Sequence, residues 1–161
     1  MFTNRDYQDY FDQIARVERK MIYGAYDLGR DLNEPSLQRI LQKIGDDEVR
    51  HYGYVLKMLR LAMPAEEAEK RRAVREYALG TIRLQKHGDF KGGGFQGYCV
   101  NLSDAGICLE CTEALFPDDV WSLEIKLFGQ NESLFYEGKV IWCKKVEPEL
   151  YISGIDFGRV S

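Results

Sequence analysis

The run YALGTIRLQ, residues 77–85, decides the fold, because there the apolar period changes from helical to two. Downstream, QGYCVN (96–101), GICLECT (106–112), VWSLEIKLF (120–128), LFYEGKVIWCK (134–144) and LYISGIDF (150–157) are likewise rich in β-branched and aromatic residues, with Gly, Asn, Asp and Pro between them. Six such runs predict a small antiparallel barrel. KHGDFKGGGFQG (86–97) reads as a glycine-rich hairpin tip.

Upstream, from Tyr10 to Leu61, the period is helical and only LNEPS (32–36) interrupts it. Asn33 or Glu34 ahead of Pro35 suits a helix start, since proline is well tolerated in a first turn. The expected class is α+β: an antiparallel helical hairpin over 1–63, a polar, basic linker over 64–76, and a six-stranded barrel over 77–161.

Forty-five per cent hydrophobic and 30% charged residues in 161 suit a soluble globular chain. The first residues show no basic segment followed by an apolar one, and no run approaches the roughly 18 apolar residues needed to cross a bilayer, so a cytoplasmic protein without membrane insertion is expected. The net charge of −4 argues against a nucleic acid polymer as partner. Within it, KRRAVR (70–75) packs four positive charges into six residues, a patch suited to a small anion. Cys99, Cys108, Cys111 and Cys143 all fall in strand runs. Cys108 and Cys111, three apart on a strand, face opposite ways and read as small buried hydrophobes rather than metal ligands.

Steps of three and four along the first helix give the stripe Phe11, Ile14, Glu18, Met21, Ala25, Leu28 and Leu32. In the second helix they give Leu37, Leu41, Ile44, Glu48, His51, Val55, Met58 and Ala62. Three ionisable groups therefore lie on apolar stripes. Glu18 and Glu48 are each fifteen residues from Asn33, so an antiparallel hairpin brings them level, about 22 Å from the turn, with His51 one turn on. Burying unpaired charge is costly, so the layer needs compensation. A metal supplies it in one reading, since carboxylate and imidazole suit iron, manganese or zinc. In another, a hydrogen-bonded polar layer fixes the register of the bundle. An isolated hairpin also leaves half of each apolar face wet, which predicts a homodimer or larger even oligomer through residues 8–62.

Glu18 and EVRH (48–51) give the hairpin a resemblance to ferritin-like proteins, most specifically encapsulated ferritins, whose two-helix protomers complete a four-helix bundle and its di-iron site by dimerising. That resemblance implies Glu18, Glu48 and His51 as ligands to two iron ions per dimer. RRAVR, with Arg71 and Arg75, and NLSDAG, with Asn101, Ser103 and Gly106, resemble the two signature motifs of the PilZ domain over residues 69–158. The resemblance implies a cyclic di-GMP receptor. Arg71 and Arg75 would fork onto phosphate or guanine, Arg72 would add charge, Asn101 and Ser103 would hydrogen-bond the ligand, and Gly106 would allow a tight turn. The expected function is cyclic di-GMP signalling to a downstream protein partner, with no catalytic residue assigned. The alternative is a di-iron oxidase or iron-handling protein regulated by its PilZ domain.

Overall fold

The computed structural model describes residues 4–62, 76–88 and 94–158. The chain divides into two compact units, residues 1–71 and 72–161. The first holds α1 (Asn4–Asp31) and α2 (Pro35–Ala62); the second holds β1 (Gly80–Lys86), β2 (Phe95–Ser103), β3 (Gly106–Cys111), β4 (Val120–Leu127), β5 (Leu134–Glu147) and β6 (Leu150–Asp156). No helix among the described residues is long and apolar enough to cross a membrane.

The second helix starts where capping chemistry places it. Glu34 Oε1 accepts from the Ser36 backbone N–H at 3.3 Å and from Ser36 Oγ at 2.6 Å, and the Glu34 carbonyl takes the first helical bond, from Gln38 N–H at 3.0 Å. Pro35 then occupies the first helical position, where its missing donor costs nothing. The hydrogen bonds to Ser36 hold the Glu34 carboxyl below its ordinary range.

The two helices meet on a face rotated from the expected stripe. Ala15, Arg19, Ile22, Tyr23 and Ala25 of α1, with Gly45 and Tyr52 of α2, are the buried positions. A Cβ at Gly45 would stand 2.9 Å from Tyr26 Cζ, so glycine is what admits that ring, whose hydroxyl donates to Asp46 Oδ1 at 2.8 Å. Burial, and then this carboxylate, push the Tyr26 phenol up to about 12. Of the expected stripe, Met21 (46%), Leu28 (59%) and Met58 (46%) stay exposed, as do Leu37 and Ile44. Small residues decide the difference: helices close along the line where backbones approach nearest, and the bulkier stripe is left on the hairpin's outside.

The barrel closes in the order β1-β2-β3-β6-β5-β4, every pair antiparallel. Its interior is filled by Ile82, Leu84, Cys99, Ile107, Leu109, Cys111, Leu115, Leu123, Ile125, Val140, Ile155 and Phe157. The four cysteines are free thiols. Cys111 lies in this core while Cys108 faces outward, as expected of a three-residue spacing, and burial pushes the Cys111 thiol up to about 11. The first strand begins later than its sequence run suggests. Glu76 exchanges backbone bonds with Leu102 and the Leu79 carbonyl accepts from Phe128 N–H, so residues 77–79 pass between two ladders before β1 begins.

Closure around one core makes interior positions intolerant. Leu109→Ala should lower unfolding free energy by about 2–5 kcal/mol, whereas truncating exposed Phe135 to Ala should change it by less than about 0.5 kcal/mol. Urea denaturation followed by circular dichroism checks the contrast; equal effects would contradict the assigned core.

Candidate functional site

Asn101 and Ser103 lie at the end of β2 and Gly106 opens β3. Arg71, Arg72 and Arg75 lie outside the described residues. Glu76, joined to Arg75 by one peptide bond, is nonetheless fixed: its N–H donates to the Leu102 carbonyl and its carbonyl accepts from Leu102 N–H, both at 2.8 Å. Leu102 stands between Asn101 and Ser103, so Glu76 is held beside the second motif.

A β-bulge aims Asn101. Side chains on a strand alternate between faces, and Cys99 points into the core, so regular alternation would send Asn101 inward too. The register instead shifts between Cys99 and Asn101, with Val100 as the extra residue, and Asn101 pairs with outward-facing Cys108. Leu102 then faces in opposite Ile107, and Ser103 faces out opposite Gly106. A second bulge, between Val140 and Trp142, does the same on β5: Val140 is core, while Trp142 pairs outward with Gly154.

These pairings form one row across four strands, Asn101–Cys108–Gly154–Trp142. Three strand spacings put its ends about 14 Å apart along the sheet. Between them the floor is low. Cys108 is small and 9% exposed, and Gly154 has no side chain; a Cβ there would run into the Trp142 indole. The indole thus lies over Gly154, 41% exposed, and offers an aromatic surface on the outer row that Asn101 shares. Trp142 was not singled out in the sequence. WC following an apolar pair reads as an ordinary strand, and only the register reveals its partner.

The turn between β2 and β3 is held locally. Ala105 N–H donates to Ser103 Oγ at 3.3 Å, and that hydroxyl donates to the Gly106 carbonyl at 3.3 Å. The reason expected for Gly106 needs correcting. Among the described glycines positive φ occurs at Gly88, Gly129 and Gly158, not at Gly106. Glycine suits position 106 because a Cβ would collide with the Ile155 carbonyl. Two open clefts, of about 290 and 470 Å³, lie on the β1–β4 side, lined in common by Arg83 and Glu124; neither includes Asn101 or Ser103.

In the hairpin, Glu18, Glu48 and His51 converge: one ligand atom from each lies within 4.8 Å of the others. His51 Nδ1 is 3.4 Å from Glu48 Oε2. Glu18 Oε2 is buried without a hydrogen-bond partner. Burial, and then the adjacent Glu48 carboxylate, raise the Glu18 carboxyl above its ordinary range, with His51 pulling the other way. Beside this layer, buried Arg19 donates from Nη1 to Tyr52 at 3.2 Å and sits 5.8 Å over that ring. Sequence reading overlooked this pair because arginine ordinarily marks a solvated face.

A family model described as PilZ domain matches residues 69–161, more than half of the chain, and the chain belongs to that family. The matched segment contains Arg71, Arg72, Arg75, Asn101, Ser103 and Gly106. Among solved structures, the Bacillus subtilis inhibitor of motility MotI/DgrA is similar at 18% identity with a TM-score of 0.45. The alignment covers 57% of this chain and 44% of that one, so this chain spans less than half of that protein. No curated protein matches the chain.

Because Val100 is the extra residue, deleting it should leave Cys99 inward, Asn101 outward and Leu102 inward in a regular ladder. The Asn101 side-chain amide should therefore stay open to solvent, read as fast side-chain amide exchange with water by NMR. An Asn101 side chain protected from exchange in the deletion variant would contradict this account.

Proposed function

We propose that the chain is a cyclic di-GMP receptor whose ligand lies on the outer face of the barrel between the basic segment and the row from Asn101 to Trp142. The observation that carries this reading is the Glu76–Leu102 bridge, which ties the end of RRAVR to the strand bearing Asn101 and Ser103. The PilZ family is one of cyclic di-GMP receptors, and both of its motifs are present in the matched segment. Arg71 and Arg75 supply planar forks for phosphate or for the O6 and N7 edge of guanine, and Arg72 adds charge. Asn101 and Ser103 supply hydrogen bonds, and the exposed Trp142 face supplies a surface on which a base can stack. A ligand drawing on both segments would bias the conformation of the linker between the two units, the means by which it would signal to a downstream protein in the cytoplasm.

Calorimetric titration of the full chain with cyclic di-GMP tests the reading. Binding should be seen, Arg71→Ala or Arg75→Ala should lose about 2–5 kcal/mol, and Trp142→Ala about 1–3 kcal/mol. Wild-type protein that takes up no ligand would sink the assignment.

The second reading concerns the hairpin: a ferritin-like module that dimerises through residues 8–62 and pairs two Glu18, Glu48, His51 clusters as a metal site. It is favoured by the orphaned, buried Glu18 oxygen and the short separation of the three ligands. Two carboxylates and an imidazole fit iron. Iron held there would supply redox chemistry, which is the basis of an oxidase or iron-handling alternative. Dimerisation would cover the exposed stripe of Met21, Leu28, Leu37, Ile44 and Met58. Light scattering on the full chain should give an even oligomer. Ferrous or zinc ions should raise the melting temperature of wild type, and Glu48→Gln should lose most of that rise because binding stabilises the folded state by mass action. Wild type indifferent to every ion, with Glu48→Gln unchanged or more stable, would leave a register-fixing polar layer instead.

A further inference from the structure

We infer that Tyr136 and Phe157, neither of which faces the ligand row, are positioning residues for the turn that carries Ser103 and Gly106. This rests on the cyclic di-GMP reading and concerns how the same site is held in shape. Phe157 follows directly after β6, and its backbone N–H donates to the Ala105 carbonyl at 2.9 Å. Ala105 is the central residue of the turn, and its own N–H donates to Ser103 Oγ. The turn is therefore gripped from within by the Ser103 hydroxyl and from outside by one backbone donor. Where that donor sits depends on where the Phe157 ring is anchored.

The anchor is specific. Phe157, 8% exposed, lies flat against Tyr136 of β5, with ring centroids 4.1 Å apart and planes 6° from parallel. Gly138, two residues on along β5, leaves room for the ring: a Cβ there would approach Phe157 Cδ1 at 3.3 Å and would overlap Ile155 Cγ2. Ile155 in turn presents the carbonyl against which Gly106 packs. A line of contact thus runs from β5, through one stacked pair, to both ends of the motif turn. Tyr136 packs against the barrel core and stacks on Phe157, so an effect of its ring on affinity would travel through Phe157 and Ala105.

The test compares Tyr136→Phe, which keeps the stack, with Tyr136→Leu and Phe157→Leu, which keep apolar volume without it. Each full-length variant is titrated with cyclic di-GMP, and amide hydrogen exchange is read at Ala105 and Phe157, with Leu123 as a core reference. Tyr136→Phe should bind like wild type. Both Leu variants should bind about threefold to tenfold more weakly, the range for losing one aromatic pair, with faster exchange at Ala105 and Phe157 and an unchanged rate at Leu123. Wild-type affinity and unaltered exchange in both Leu variants would overturn the inference while leaving the receptor reading intact. Loss of the cooperative thermal transition in both would overturn it too, since the pair would then serve the core rather than the turn. Wild type that fails to bind would overturn the receptor reading, and this inference with it.

Discussion

A closed barrel has a single inside, and strict alternation decides which side chains enter it. That constraint is in conflict with the sequence at two places. Cys99 and Asn101 are two apart, as are Val140 and Trp142, so a regular strand would bury the amide and the indole beside the apolar members of each pair. The register shifts at Val100 and Ile141 remove the conflict, each by adding one residue without a partner. The cost is a locally broken ladder. The gain is that Asn101 and Trp142 emerge on one outward row, while the strands on either side of each bulge continue to fill the core. The outward placing of Asn101 and Trp142 depends on those two residues being left unpaired.

The hairpin meets the opposite problem, polar groups on the inside rather than functional ones to be kept out. Arg19 is nearly as buried as the alanines around it, and the Tyr52 hydroxyl and ring take part of its charge. Beside it, the Glu18 and Glu48 carboxylates crowd each other, with His51 as a favourable neighbour. Two carboxylates in one layer cost less if one holds a proton, or if a cation lies between them. Burial and the Glu48 carboxylate raise the Glu18 carboxyl, in the direction of the first solution, and the proposed metal is the second. The first would leave the bulky outer stripe of Met21, Leu28 and Met58 in need of a covering surface, which the second, as a site paired across a dimer, would bring with it.

Much of this was legible before any coordinates. The strands are legible because a half-buried strand must alternate, and each of the six runs falls on one of β1 to β6; β1 starts three residues late, where Glu76 and Leu79 bond to different neighbours, while β2 and β5 extend beyond their runs to Ser103 and Glu147. Glu18, Glu48 and His51 are placed together by the sequence because antiparallel helices with a rise of about 1.5 Å per residue leave little freedom at fifteen residues from a turn. Other features could not be read. Val100 and Ile141 are apolar residues in apolar runs, and nothing in their chemistry marks them as the ones to be left out. The rotation of the helix–helix face depends on Ala15 and Gly45, whose importance lies in atoms they lack. Asn101, Ser103 and the three arginines were recognised through family resemblance, since Asn, Ser and Gly in a turn are otherwise unremarkable.

The division of labour between the two motifs follows from what each backbone can supply. Asn and Ser have short side chains with few rotamers, so they contribute best from a scaffold that already points them, and the bulge and the turn provide one. Arginine has a long side chain and loses considerable rotamer freedom when held, yet its five donors in a fixed plane repay that loss only where two acceptors are presented together. A diester ligand with guanine edges presents several such pairs. Placing the arginines ahead of Glu76 rather than on β2 keeps like charges from being crowded onto a strand that must also pack a core. Joining them to it through a two-bond bridge at Leu102 keeps Arg75 one peptide bond from a fixed point.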